Sequence, residues 1–154
     1  MIRNLIKYPD PLLRSLCRPI LEISKDVERN IRDLLDTLYD ASGRGLAGPQ
    51  IGFLFRIFVM DITWKVGKSD PKIIINPEIL YSSNETQNNL ERCLSIPNQS
   101  IGVVRPKVIE LLWMDENATI NRDSFSGISA AIICHEVDHL DGKLIIDNKK
   151  QPLE

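Results

Sequence analysis

Two histidines and a glutamate lie within five residues near the C-terminal end of the chain, in the segment H-E-V-D-H at residues 135–139. On an α-helix, side chains four residues apart share one face, so His135 and His139 can bind one cation. The Glu136 carboxylate then reaches a water on the metal, where a general base is needed. Because these are the only two histidines in the chain, the segment predicts a metal site rather than two hydrogen-bonded core residues. Asp138 is either a partner for a ligand imidazole or a nearby arginine, or an exposed helix charge.

Such a catalytic site uses three protein ligands and one exchangeable water, so a third ligand must come from elsewhere in the chain. The fifteen residues after His139 contain few carboxylates, namely those of Asp141, Asp147, Glu154 and the C-terminus. Upstream, residues 91–97 read E-R-C-L-S-I-P. A thiolate from Cys93 would complete a Cys, His, His site with one open position.

Apolar spacing predicts the helices that must position these side chains. Ser24 can cap a helix that ends near residues 42–43. Its apolar residues recur at helical intervals and are Val27, Ile31, Leu34, Leu35 and Leu38. Residues 43–50 contain three glycines and predict a loop that another backbone can approach closely. The metal helix is expected to start after residues 126–127 and to stop at Asp141-Gly142.

Short runs bounded by Pro, Gly or Asn predict β-strands. They cover residues 56–61, 72–76, 79–82, 101–104 and 107–114, with a hairpin turn at 115–118 that leads into 119–120. Residues 8–11 predict an extended and turning segment before a short helical or apolar contact at 12–14. Residues 144–147 predict a short closing strand.

Composition favours a globular protein with one domain, residues 1–154, because 43% of the side chains are hydrophobic. No apolar run approaches the length of a membrane span. A net charge of −2 without a basic block argues against nucleic acid as a partner. The three cysteines, Cys17, Cys93 and Cys134, form no C-x-x-C pair, which favours a reducing compartment. Since the sequence starts without a signal or transit pattern, we expect a cytoplasmic protein.

Three ordered segments together resemble the peptide deformylase family. The family shows G-x-G-x-A-A-P-Q, E-G-C-L-S and H-E-x-D-H, and this chain has G-R-G-L-A-G-P-Q at 43–50, E-R-C-L-S at 91–95 and H-E-V-D-H at 135–139. Residues 8–14 and 139–142 are also similar. The resemblance implies an α+β fold with mixed or antiparallel β-sheets packed around the C-terminal metal helix.

The resemblance implies a metal-dependent hydrolase with Cys93, His135 and His139 as ligands and Glu136 as general base and acid. A bound metal lowers the pKa of its water toward about 7, so that hydroxide attacks the substrate at neutral pH. The family's metal is commonly Fe²⁺, and Zn²⁺, Ni²⁺ or Co²⁺ can take its place. One thiolate and two imidazoles do not choose among these ions.

The implied substrate is the N-formylmethionyl end of a peptide or nascent polypeptide, bound in extended form like an added strand. The Gln50 side-chain amide and the Leu94 backbone N–H are expected to hold the formyl oxygen as it becomes an oxyanion. The residues expected to bind substrate are Arg44, Gly45, Arg92, Ile128 and Ile132.

Four positions depart from the family pattern without removing a ligand, the base or an oxyanion donor. Arg44 stands where an apolar residue is usual near the methionine pocket, Gly48 replaces the second Ala, and Arg92 replaces the Gly. Cys134 replaces the usual Gln, and we expect it to be an inert buried thiol.

Two other functions compete with deformylation. An H-E-x-x-H metallopeptidase would give Cys93 no role. A non-catalytic homologue would bind formyl peptides without turnover, and the two arginines Arg44 and Arg92 motivate this alternative.

The end of the chain bears on partners, because many bacterial deformylases carry a further basic C-terminal helix that docks on the ribosome. Here residues 148–154 contain one proline and two lysines. Such a segment gives at most a turn or two of helix and little phosphate attraction. We therefore expect a monomer that meets its substrates by diffusion, without stable ribosome docking.

Overall fold

A computed structural model describes residues 1–150, which contain two α-helices, seven β-strands and three short 3₁₀ helices. The elements are α1 (Lys25–Asp40), β1 (Gly45–Ala47), β2 (Ile57–Met60), β3 (Lys72–Ser82), β4 (Thr86–Cys93), β5 (Ile96–Pro106), β6 (Val108–Met114), β7 (Ile120–Ser126) and α2 (Ile128–Leu140). The 3₁₀ helices are Pro11–Arg14, Gly48–Ile51 and Ile145–Lys150. The prediction that the C-terminal segment forms at most a turn or two of helix covers residues 148–154. Of these, residues 151–154 lie outside the described residues.

The strands form two antiparallel sheets. One sheet has five strands in the order β1-β2-β3-β6-β7, and the other is the β4–β5 hairpin. The predicted α+β class is therefore confirmed, and the sheets are antiparallel rather than mixed. Strands β1 and β4 each have one edge without a strand partner among residues 1–150.

Strand β2 is buried along its whole length because one helix packs on each face of the larger sheet. Side chains alternate along a strand, so Ile57 and Val59 join the core under α1 whereas Phe58 and Met60 join the core under α2. Fully burying an apolar side chain of this size contributes roughly 1.5–3 kcal/mol. This burial packs α2 against β2 and its neighbour β1, and β1 contributes Gly45 to the candidate site.

Helix α1 begins as predicted, because the Ser24 side chain accepts a hydrogen bond from the Val27 N–H at 3.3 Å. It ends at Asp40, slightly before the predicted end. Ser42 has a φ of +57°, which is incompatible with a right-handed helix. Neither α1 nor any other helix within residues 1–150 combines the length and apolar character needed to cross a membrane.

Strand β3 is one continuous element where two separate strands were predicted. Asn76 and the following proline interrupt the sequence pattern, but Asn76 adopts a φ of +50° and the ladder to β6 shifts register there. The Asn76 amide also exchanges two hydrogen bonds with the backbone of Ile20, at 2.7 and 2.8 Å. The strand therefore passes through a bulge, which a search for unbroken alternation does not find.

Two further predictions of local structure were wrong, and one strand was missed. Residues 45–47 form strand β1 instead of loop, because they pair with β2. Strand β4 was missed because its sequence is almost entirely polar, and only one of its faces meets the β4–β5 core. Residues 144–147 are not a strand: the Asp147 carboxylate accepts bonds from the Leu144 N–H and from Arg14, which favours the 3₁₀ helix. The predicted contact at residues 12–14 is confirmed as a 3₁₀ helix.

Gly48 occupies a position where the family pattern has alanine, and the backbone explains the difference. A Cβ at this position would lie 2.5 Å from the carbonyl oxygen of Phe53 and 3.0 Å from that of Phe55. Both atoms belong to main chain and cannot rotate away. The turn after β1 is therefore packed too closely for any side chain.

We predict that Gly48→Ala lowers the free energy of unfolding by about 1–3 kcal/mol, the usual cost of overpacking. Thermal unfolding followed by circular dichroism measures this change. Gly67→Ala is the matched control, since a Cβ there meets nothing within 4 Å. Equal melting temperatures for the two variants would contradict the packing argument.

Candidate active site

Helix α2 carries the histidine motif, and its predicted start and stop are confirmed. Gly127, with a φ of +59°, precedes the first turn, and Asp141 caps the last turn before Gly142 at a φ of +72°. The ring centroids of His135 and His139 are 5.1 Å apart. The helical spacing therefore places both imidazoles side by side, facing the end of β4.

Strand β4 ends at Cys93, which the β4–β5 hairpin places against the two histidines. The Cys93 Sγ atom lies 3.4 Å from His139 Nε2, and one donor atom from each of the three residues lies within 4.8 Å of the others. All three side chains are buried or nearly so. The structure thus brings together the three residues that the motifs proposed as ligands.

Two observations show that these residues fit a transition-metal ion. Buried polar atoms ordinarily have hydrogen-bond partners, yet Glu136 Oε1, beside the cluster, is buried without one among residues 1–150, which leaves it free for a water on a bound ion. A thiolate with two imidazoles is also a donor set that suits borderline-soft divalent cations. The cluster could therefore hold one metal ion, and neither observation selects its identity.

A charged network behind the cluster orients His135. Its Nδ1 lies 2.9 Å from Glu91 Oε1, which leaves Nε2 to face the ligand cluster. Arg105 donates to both Glu91 oxygens at 2.9 Å and to Asp138 Oδ2 at 2.7 Å. Pairing of Asp138 with a nearby arginine, the first of its two interpretations, is confirmed.

Sequence reasoning assigned no role to Glu91 or Arg105, although a signal for Glu91 was present. Side chains two apart on a strand share a face, so Glu91 and Cys93 on β4 point toward α2 together. No comparable signal marks Arg105. It lies on β5 opposite Gln87 of β4, and its long side chain reaches along the hairpin to Glu91.

The network shifts the pKa values of its members. Burial raises the pKa of Glu91, but the hydrogen bonds from Arg105 and His135 outweigh it and lower the pKa to about 2. Burial lowers the pKa of His135. The charge of Glu136 and the contacts with Cys93 and Glu91 outweigh burial and raise this pKa to about 10. Glu91 is therefore ionised at neutral pH, and the surroundings of His135 favour positive charge.

Glu136 lies between the two histidines and Gly45 at the start of β1. It is only 4% exposed, and its Oε2 lies 4.0 Å from His135 Nε2. Burial raises the pKa of its carboxyl to about 7, against the lowering effect of the His135 charge. A Cβ on Gly45 would lie 2.6 Å from Oε2, so the carboxylate occupies space that only glycine leaves open.

Gln50 is fixed on the opposite side of the cluster, where it is 1% exposed. Its Oε1 accepts from the Ala47 N–H at 2.9 Å, which orients the amide nitrogen toward Ser95 Oγ at 3.0 Å and Cys93 Sγ at 3.7 Å. Sequence reasoning missed Ser95, although it lies within the motif at 91–95. Leu94 lies between Cys93 and Ser95 at the turn of the hairpin, and it lines the groove above the cluster.

A groove of about 920 Å³ opens over these groups, between the free edges of β1 and β4. All five residues that the sequence proposed for substrate binding line it: Arg44, Gly45, Arg92, Ile128 and Ile132. Cys93, His135, Glu136, Gln50 and Leu94 line it as well. The groove also includes Lys65, which carried no sequence signal.

Comparison with known proteins agrees with this geometry, since the family model described as polypeptide deformylase matches residues 2–153. The chain belongs to the polypeptide deformylase family. A peptide deformylase from Rhodopseudomonas palustris (strain BisB5) is 39% identical over 149 residues, covering 96% of this chain and 85% of that protein. Peptide deformylase from Thermotoga maritima has a TM-score of 0.89 at 35% identity, over 96% of this chain and 97% of that one. A Synechococcus elongatus peptide deformylase in complex with actinonin has a TM-score of 0.88 at 34% identity, over 94% and 77%.

The resemblance drawn from the three motifs is therefore confirmed, and this deformylase-family chain is a hydrolase. Its departures from the motifs leave unchanged the residues that the sequence proposed as ligands, base and oxyanion donors. Arg44 and Arg92 are exposed on the groove walls, and Gly48 lies in the tight turn after β1. Cys134 is buried in the core under α2, where burial raises the pKa of its thiol to about 11, as expected of an inert cysteine.

We predict that Gly45→Ala lowers kcat/KM for a formyl-methionyl peptide by about 10²-fold, because displacing a reacting group by 1 Å can cost that much. The added methyl group would meet Glu136 Oε2 at 2.6 Å and Ile132 Cγ2 at 3.1 Å. Steady-state kinetics measures the loss, and metal analysis should show unchanged metal content. Gly67→Ala serves again as control, and a Gly45→Ala enzyme within twofold of wild type would show that the carboxylate adjusts freely.

Proposed function

We propose that this chain removes the N-formyl group from N-formylmethionyl peptides and nascent polypeptides. One observation carries the proposal: a carboxylate, an oriented amide and a Cys, His, His cluster converge at the floor of a groove flanked by two free strand edges. Amide hydrolysis needs a base, a means of stabilising the developing oxyanion, and a place for an extended chain. The residues supply all three, in one catalytic domain over residues 1–154.

Cys93, His135 and His139 would hold one divalent metal ion, which we propose to be Fe²⁺ by resemblance to the family. Zn²⁺, Ni²⁺ or Co²⁺ would suit the same donors. When bound, the ion would lower the pKa of a water and polarise the formyl carbonyl group. Glu91 would keep His135 in the tautomer that presents Nε2 to the ion.

Glu136 would move the proton. In its carboxylate form it takes a proton from the attacking water, and in its acid form it gives that proton to the leaving amine. Burial raises the pKa of its carboxyl and so favours the acid form, whereas the charge of a bound ion would favour the carboxylate form. The close packing of Gly45 against Oε2 holds the carboxylate at the floor of the groove.

Gln50 and Leu94 would stabilise the negative charge on the formyl oxygen in the tetrahedral intermediate. The Gln50 amide needs no reorientation, because the Ala47 N–H already holds its oxygen. We assign the second donor to the Leu94 backbone N–H, at the turn next to Cys93. Donors that are oriented before the reaction are more effective than solvent, since no reorganisation is required.

The substrate would lie extended between β1 and β4 and would pair with their free backbone groups. Gly45 permits close approach on one side, and β4 offers the backbone of Arg92 on the other. Ile128 and Ile132 of α2 form an apolar wall for the methionine side chain. The aliphatic stem of Arg44 can extend this wall while its guanidinium stays in water.

We predict that Glu136→Gln retains the metal but loses about 10²–10⁴-fold in kcat, because an amide cannot accept the water proton. The rate of deformylation is measured as formate released from formyl-Met-Ala-Ser, and metal content is determined by mass spectrometry. Glu116→Gln, in the exposed turn before β7, is the matched control. Turnover by Glu136→Gln within a few-fold of wild type would refute this role.

We predict that Cys93→Ala loses metal and deformylase activity together, because two imidazoles alone bind a divalent ion weakly. Cys134→Ala is the control, since its thiol is buried in the core away from the groove. Full metal occupancy in Cys93→Ala, with cleavage of internal peptide bonds by the wild type, would indicate an H-E-x-x-H peptidase. Binding of formyl peptides by the wild type without turnover would indicate a non-catalytic homologue.

We further propose a cytoplasmic monomer that meets nascent chains by diffusion, without stable ribosome docking. The three cysteines are free thiols, as a reducing compartment favours. The net charge of −2 gives little long-range attraction to ribosomal RNA. Sedimentation measures the oligomeric state, and salt-resistant pelleting with ribosomes at physiological salt would contradict diffusional encounter.

A further inference from the structure

Three exposed cationic side chains line the groove on both walls. Arg44 and Lys65 lie beside β1, and Arg92 lies on β4 directly before Cys93. Strand alternation sends the Arg92 side chain away from the buried cluster, toward solvent at the mouth of the groove. The three charges therefore lie along the groove that the peptide of the proposed function would occupy.

None of these cations forms an ion pair with a carboxylate in the part of the chain that the structure describes. Arg92 uses its Nε to reach Ser100 Oγ at 3.1 Å, and Lys65 Nζ lies 5.7 Å from the centroid of the Trp64 ring. Their charge thus remains open to a ligand.

The carboxylates on the groove do not offset this positive charge at its mouth. Glu91 is held by Arg105 and His135, and Glu136 is buried at the floor. Both belong to the catalytic machinery. The charge presented to an incoming peptide is therefore positive, although the whole chain carries a net charge of −2.

Lys65 is held at this wall by a structured turn. Trp64 donates from Nε1 to the Gly43 carbonyl oxygen at 2.8 Å and packs edge-on against Tyr39. Asp61, at the base of the turn, accepts from the Tyr39 hydroxyl at 2.6 Å and from Ser69 Oγ at 2.8 Å. These bonds anchor both ends of the turn, so the fold places the backbone of Lys65 at this wall.

We propose that the groove selects formyl-methionyl peptides with acidic side chains immediately after the formylmethionine. This inference rests on the proposed function. An extended peptide advances about 3.3 Å per residue, so the second and third residues pass between the two cationic walls. Carboxylates there meet Arg44, Lys65 and Arg92, and basic side chains meet repulsion. Each exposed pair contributes up to about fivefold, less at high salt.

A peptide fits these charges better than a polyanion such as RNA. The cations lie inside a groove with the reacting groups, next to an apolar wall formed by Ile128 and Ile132. A phosphate backbone needs a wider basic surface, which a chain with a pI of about 5.7 and no basic block does not offer. A short single-stranded RNA is nevertheless included as a competitor in the test.

The test compares three peptides that differ only in charge: formyl-Met-Glu-Glu-Ala, formyl-Met-Gln-Gln-Ala and formyl-Met-Lys-Lys-Ala. With the metal-loaded wild-type enzyme at low salt, we expect kcat/KM to be about three- to tenfold higher for the Glu peptide than for the Gln peptide, and lowest for the Lys peptide. In 0.5 M KCl the difference should shrink below about twofold, because the Debye length falls to a few ångströms.

Single-charge variants locate the effect. Arg44→Gln, Lys65→Gln and Arg92→Gln should each reduce the Glu-over-Gln ratio by about 1.5- to twofold. The ratio compares two peptides on the same enzyme, so it reports the charge separately from any change in basal turnover, which is expected for Arg44 and Arg92 because they belong to the proposed substrate site. Lys68→Gln removes an equal charge from the same turn as Lys65, outside the groove, and should leave the ratio unchanged. The same ratio in all four variants would overturn the proposal.

Equal kcat/KM for the three peptides with the wild type would also overturn it. So would an RNA that inhibits turnover of the Gln peptide more strongly than the Glu peptide without its formyl group does. Dissociation constants of the corresponding fluorescent peptides, without the formyl group, give a second readout that does not require turnover. If no peptide were deformylated, the proposed function would fail. A preference for the acidic peptide in binding would still support the selection by charge.

Discussion

The buried pair between Glu91 and Arg105 is the interaction on which the geometry of the site depends. It is bidentate, with both N···O distances at 2.9 Å and side chains only 10% and 8% exposed. Since Glu91 lies on β4 and Arg105 on β5, the pair fixes the hairpin, and their contacts with His135 and Asp138 fix it against α2. Two sequence-distant segments therefore meet in one register at the cluster of Cys93, His135 and His139, which could hold a metal ion.

This network contributes more to the geometry of the site than to the net free energy of folding. Taking ions out of water offsets most of their attraction, and apolar replacements of buried pairs are often as stable. Removing one partner alone costs about 3–5 kcal/mol, because it leaves a charge buried without compensation. The network thus penalises any arrangement of β4, β5 and α2 other than the observed one, which keeps the Cys93 thiol and the His135 imidazole within reach of one ion.

Local chemistry was easier to predict from the sequence than the contacts between distant segments. The α2 helix follows from apolar content and two glycines, and the reacting groups follow from motifs that match a family. Polar strand β4 and bulged strand β3 gave weak patterns, because their stability comes from partners far along the chain. Arg105 and Lys65 could not be found in this way, since their roles depend on a strand register and on the packing of the turn at Trp64.

The free edges of β1 and β4 set a limit on when the enzyme can act. In the proposed binding mode, the groove between these edges would take one extended strand whose own N–H and C=O groups are unpaired. A polypeptide whose first residues have already joined a helix or sheet has no such groups to offer. With this binding mode, formyl removal would be confined to the interval before the N-terminus of the client folds, so that synthesis and folding rates would determine which proteins are processed.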